Sequence, residues 1–158
     1  MSYSHQPPEY QCPFCGMLDA SQSVLNPDLV YQDNRIFSII SLHWWENNPG
    51  HALIMPKQHF ENIYTLPFEL SDRIHRLEKV LALAMKEVYR CDGISSRQHN
   101  EPAGYQDVWH YHLHVFPRYQ GDRLYRSQHT VAPEFERQKF AQRLRSYFAE
   151  YPPELGMG

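Results

Sequence analysis

Apolar residues recur at steps of three and four along residues 67–91, at Leu70, Ile74, Leu77, Leu81, Met85 and Val88, which is the period of one helical face. Pro67 suits a first helical turn and Gly93 supplies a stop, so the pattern predicts a helix of about 25 residues, roughly 37 Å long. A second helix is predicted over about 133–150, with Phe140, Leu144 and Phe148 on one side and Pro152-Pro153 beyond its end. Elsewhere the period falls to two. Residues 29–31 and 35–42 predict strands joined at Asp33-Asn34, and the turn Asn47-Asn48-Pro49-Gly50 leads to a short strand over 51–55 closed by Pro56. Residues 94–99 and 108–119 complete the set. Strands, a long helix, then more strands predict an α+β fold with a mainly antiparallel sheet of about five strands.

Composition narrows the function classes. A chain of 158 residues fits one domain, and 42% apolar residues with 11 Tyr, 8 Phe and 3 Trp suffice for a core. Fifteen Lys and Arg against 18 Asp and Glu give a net charge of -3, so no global charge steers the molecule to nucleic acid or an anionic membrane. No apolar run approaches the roughly 20 residues needed to cross a bilayer, and the start MSYSHQPPEYQ has neither the basic nor the apolar stretch of an export signal. A cytoplasmic protein is expected. In a reducing compartment the pair Cys12 and Cys15 reads as metal binding or redox work, and the third cysteine, Cys91, as a buried thiol.

The ten histidines are the departure from ordinary composition. In Trp109-His110-Tyr111-His112-Leu113-His114-Val115-Phe116 they alternate with apolar residues. On a strand that alternation sends Tyr111, Leu113 and Val115 to the core and the three histidines to the other face, neighbours about 6.6 Å apart. Such a row is either a solvated polar face or a place for chemistry, and three imidazoles in five residues favour chemistry. Two routes are open: a metal held by His110 and His112, or a neutral imidazole that attacks an electrophile while its neighbours meet the charge.

The His-x-His-x-His run, followed by Phe116-Pro117-Arg118 and preceded by Ala103-Gly104-Tyr105-Gln106-Asp107-Val108, resembles the motif of the histidine triad (HIT) superfamily of nucleotide hydrolases and transferases. Upstream, the segment from Pro49 to His59, with Pro56-Lys57-Gln58-His59 at its end, resembles a strand of these proteins, and Cys12-Pro13-Phe14-Cys15 resembles the metal half-site of many bacterial members. The likeness covers about residues 10–120 and leaves the C-terminal helix unassigned. It implies a HIT-like fold, a homodimer, and a purine nucleotide conjugate as substrate, either a nucleoside phosphoramidate or a dinucleoside polyphosphate. His112 would be the nucleophile, forming a nucleotidyl-histidine at the α-phosphate. His114, Gln106 and Asn100 would be donors to the phosphoryl oxygens.

The resemblance also implies a structural zinc on Cys12, Cys15, His59 and His110, a closed set of four sulfur and nitrogen ligands. A redox dithiol is the rival reading of the cysteine pair, but no thioredoxin-like βαβ pattern follows it. Asp107 stands where many members carry Ser or Thr; it would orient an imidazole or lie on the surface. His51 would support the triad from behind. His99 would face the phosphate site or sit on an edge strand. His5, His43, His75 and His129 read as surface residues, and Trp44 and Trp45 as a dimer contact or part of a nucleoside pocket. The rival functions are a hydrolase with a catalytic metal on the His-x-His strand and a non-catalytic nucleotide-binding module.

Overall fold

The computed structural model describes residues 3–17 and 26–156. Five strands form one antiparallel sheet in the order β1 (Leu29–Gln32), β2 (Ile36–Ile40), β4 (Ala52–Pro56), β6 (Leu113–Arg118) and β5 (Gly93–Gln98). The short strands β3 (His43–Trp45) and β7 (His129–Val131) pair apart from it. Three α-helices accompany the sheets: α1 (Pro13–Gly16), α2 (Phe68–Tyr89) and α3 (Glu134–Glu150). The α+β fold with a five-stranded antiparallel sheet is the one expected. Among the described residues no helix is long and apolar enough to cross a membrane.

The apolar stripe of α2 is the foundation of the main core. Leu70, Ile74, Leu77, Leu81 and Met85 are buried against Ile36, Ile40, Ile54, Leu113 and Val115 of the sheet, and α3 adds Ala141, Leu144 and Phe148. Burying each large aliphatic side chain contributes about 1.5–3 kcal/mol, so this face of the sheet dominates stability. On the opposite face Phe37, Ile39, Leu53 and Met55 form a smaller cluster under Phe14 of α1. Strict alternation therefore gives the sheet two buried faces, one carrying helices and the other carrying the histidines.

Most elements differ from the sequence expectation by a residue or two at their ends, and three differences are larger or new. Helix α2 spans 22 residues and stops where Arg90 adopts a left-handed conformation (φ 58°), while Gly93 opens β5. Strand β6 begins at Leu113 and not at Val108, because the preceding backbone is committed elsewhere: the His110 amide donates to Val108 and the Tyr111 amide to the Phe60 carbonyl. The β3–β7 ribbon was not anticipated. It places Trp44 in the main core against Phe140, 5.1 Å between ring centres, and Trp45 on the histidine face.

Gly50 ends the turn before β4 with φ +83°, and a methyl group there would lie 2.4 Å from Phe140 and 2.8 Å from Tyr89. Left-handed strain and overpacking add, so Gly50→Ala is expected to destabilise the protein by about 2–4 kcal/mol. Urea unfolding reads this directly; an unchanged midpoint would show that the turn relaxes at no cost.

Candidate active site and metal centre

The histidine run divides at Leu113. His110, completely buried, lies before β6 and points towards the cysteine pair. Its Nε2 donates to the Pro56 carbonyl at 2.9 Å, which leaves Nδ1 as the acceptor nitrogen, 3.3 Å from Cys12 Sγ and 3.6 Å from Cys15 Sγ. His59 Nδ1 is 3.4 Å from Cys15 Sγ, and its Nε2 meets Gln6 Oε1 at 3.0 Å. The four ligand atoms of Cys12, Cys15, His59 and His110 lie within 4.8 Å of one another.

That geometry fits a tetrahedral zinc. Zn–S bonds of about 2.3 Å and Zn–N bonds of about 2.0–2.1 Å require S···N edges of about 3.5 Å, which the observed separations match. Each imidazole also has its far nitrogen fixed by an oxygen, as zinc-ligating histidines do. Burial and the neighbouring Cys12 push the Cys15 thiol up to about 11; a bound divalent cation reverses that shift by stabilising the thiolate. The N-terminal segment carrying both cysteines is fastened by Tyr10, whose hydroxyl accepts from the Trp109 amide, and by Glu61, which accepts from Ser4 and His5.

His112, like His110, packs against Phe14. It is 4% exposed, and its Nδ1 donates to the His110 carbonyl at 2.7 Å, leaving Nε2 unprotonated in the neutral ring. Burial, the largest influence, holds His112 below the ordinary imidazole value, with the Asp107 charge opposing it. His114 sits in β6 with its ring centre 4.9 Å from that of His112.

His51, fully buried at the head of β4, fixes the His114 tautomer. Its Nδ1 donates to the His43 carbonyl at 3.2 Å, so its Nε2 must accept from His114 Nδ1 at 2.9 Å. Burial pulls His51 down to about 3, which keeps it neutral and keeps the relay in this direction. The Nε2 of a neutral His114 is then an acceptor and can take up a proton.

A cavity of about 330 Å³ opens beside His114, lined by Trp45, Arg97, His99, Tyr105, Asp107 and His129 as well. His99 is anchored through Nδ1 to the Gly104 carbonyl at 2.6 Å, its ring 5.6 Å from His114. Gln106 and Asn100 are placed differently from His99 and Asp107. The Gln106 amide donates to the carbonyls of Glu61 and Val108 and accepts from the Glu101 amide, so its hydrogen-bonding capacity is spent on ordering the loop. Asn100 accepts from the Ile63 amide and exchanges bonds with Gln98, outside the cavity lining. Trp45, read from the sequence as a dimer contact or part of a nucleoside pocket, lines this cavity, whereas Arg97 and His129 were not singled out as site residues, because the β3–β7 pairing and the register of β5 bring them there.

The family model of the HIT domain matches residues 22–121. The chain belongs to the HIT family. Among relatives of this HIT protein, the "Protein hit" of Bacillus subtilis is 30% identical over 90 residues, 57% of the chain and 61% of that protein, so the match spans under two thirds of that relative. A zinc-bound histidine triad family protein from Mycobacterium smegmatis has a similar structure, with a TM-score of 0.73 at 25% identity over 89% of this chain and 95% of that one. The Plasmodium falciparum diadenosine triphosphate hydrolase shares the fold, with a TM-score of 0.69 at 17% identity over 80% and 79% of the two chains. The HIT fold is therefore shown for this chain, together with a residue set able to hold zinc.

Proposed function

We propose that the protein is a nucleotide hydrolase or nucleotidyltransferase that attacks the α-phosphate of nucleotide conjugates through His112. The observation that carries the reading is the bond from His112 Nδ1 to the His110 carbonyl, since it leaves the Nε2 lone pair free at neutral pH. In the first displacement that lone pair forms an N–P bond while the bond from phosphorus to the leaving group breaks, and the leaving group departs with the electron pair. Water then forms a P–O bond as the N–P bond breaks and its electron pair returns to His112 Nε2, the proton of the water passing to Nε2 of the neutral His114; another nucleophile in place of water gives transfer. The negative charge of the substrate favours protonation of His114, which then donates from Nε2 to a phosphoryl oxygen or to the leaving group. His51 acts through His114 and touches no substrate.

Zinc on Cys12, Cys15, His59 and His110 would be structural: it fixes His110, whose carbonyl orients the nucleophile. A homodimer belongs to the same reading, because β5 is the last strand of the sheet and its outer edge can pair with a second copy. The similarity to a protein named as a diadenosine triphosphate hydrolase supports a nucleotide substrate at the level of fold.

The deciding experiment is a quench of turnover mixtures containing adenosine phosphoramidate or diadenosine triphosphate, followed by peptide mass spectrometry. An acid-labile, base-stable adenylyl group on the peptide containing His112 is the expected result. Hydrolysis of these conjugates with no such adduct at any quench time would reject the covalent mechanism.

A further inference from the structure

Arg97 stands on β5 directly across the ladder from His114, so the two side chains leave the sheet on the same face. Its guanidinium rests in a notch between Trp45 and Phe116, 4.6 and 4.7 Å from their ring centres. Those rings are nearly perpendicular, 5.3 Å apart. Aromatic faces attract a cation but accept none of its N–H bonds in the way an oxygen does. Arg97 Nε is buried with no partner, and no carboxylate pairs with this guanidinium among the described residues. The contrast with other arginines is sharp: Arg73, Arg118 and Arg137 are paired with Asp33, Asp122 and Asp28.

A partly buried cation without a counter-ion costs stability unless something else supplies the negative charge. The one carboxylate that lines the same cavity, that of Asp107, makes no recorded ion pair or hydrogen bond with the guanidinium. Its position indicates which part of a substrate it meets. His114, its partner in register, is two residues beyond His112, and the rings that hold the guanidinium, Trp45 and Phe116, contact His51, His114 and each other and make no recorded ring contact with His112. Arg97 is thus in register with His114 and not with His112, a placement that suits a phosphate further along the substrate than the one under attack.

We propose that Arg97 is the receptor for a phosphate of the leaving group, and that the site therefore prefers conjugates whose leaving group is itself a phosphate ester, as in dinucleoside polyphosphates, over those that release a neutral amine. This rests on the reading of His112 as nucleophile. When the P–O bond breaks, the departing oxygen takes the electron pair, and the charge gained by the leaving phosphate is what Arg97 meets.

The test compares kcat/KM for diadenosine triphosphate with that for adenosine phosphoramidate in wild type, Arg97→Met and Arg97→Gln. Loss of a charge-assisted bond to phosphate is expected to lower the ratio of the two by about tenfold to a hundredfold in both variants. A ratio within fivefold of wild type in either variant overturns the proposal, even if both activities fall together. Calorimetric affinity for inorganic pyrophosphate gives a readout independent of turnover, expected to weaken at least fivefold in both variants. Weakened pyrophosphate binding in a protein that hydrolyses neither conjugate would keep the anion receptor and sink the hydrolase reading. Hydrolysis through His112 with unchanged pyrophosphate affinity would do the reverse.

Discussion

Replacing His112 by Ala is expected to slow release of AMP from adenosine conjugates by about 10⁴-fold or more, with the folded state and zinc content retained. The magnitude follows from what is removed. A nucleophile that forms a covalent intermediate has no substitute once deleted, and comparable single deletions elsewhere leave only the acceleration due to binding and charge stabilisation. The small effect on folding follows from the bonding pattern: the ring makes one recorded hydrogen bond, to the His110 carbonyl, and contacts the edge of Phe14 at 5.3 Å between ring centres. It holds no part of the cysteine cluster. Steady-state and single-turnover rates measured together separate the outcomes. Residual activity above a tenth of wild type would remove His112 from the chemical step and return the three-histidine segment to the status of a binding surface. His51→Ala serves as the internal comparison, because it disturbs the tautomer of His114 while leaving the His112 lone pair in place.

Much of this site is legible in the sequence because its logic is local. Alternation alone predicts that Tyr111, Leu113 and Val115 go to the core and that His110, His112 and His114 share the opposite face; the structure buries the three apolar residues and keeps His112 beside His114, but draws His110 into the cysteine cluster. The pattern of α2 is equally local, since one apolar stripe of a long helix decides which way it faces. What could not be read depends on partners distant in the chain. Strand β6 starts five residues later than alternation suggests because Phe60, in another segment, takes the Tyr111 amide. Gln106 looks like a free donor in one dimension and is saturated in three, since its partners Glu61 and Glu101 converge from two loops. Arg97 carries no sequence signal of its own; only the register of β5 against β6 and the β3–β7 ribbon make it a neighbour of Trp45 and His114. That no carboxylate among the described residues pairs with it is likewise a property of the folded chain.

Removal of zinc is expected to lower both the melting temperature and kcat, and the two effects have one origin. His110 contributes its ring to the cysteine cluster and its carbonyl to His112, so a constraint on the ring is passed through a single residue to His112, the proposed nucleophile. At free zinc a thousandfold above its dissociation constant, linkage contributes about 4 kcal/mol to stability. For a chain of this length each kcal/mol corresponds to about 2–4 °C. A chelator, or Cys15→Ser, is therefore expected to lower Tm by about 8–16 °C. The main core, formed by α2, α3 and the helix-facing side of the sheet, contains none of the four ligands, so the chelated protein is expected to remain folded at room temperature. Its kcat is then expected to fall about tenfold or more with a smaller change in KM, because the loosened group orients the nucleophile and does not hold the substrate. Cys91→Ser controls for general thiol effects, since Cys91 is buried in the main core away from the cluster and its loss should leave the zinc stoichiometry unchanged. A metal-free protein with unaltered Tm and kcat would break the connection between the cysteine pair and the triad. One that loses activity outright while its Tm stays constant would instead place the metal in the reaction itself.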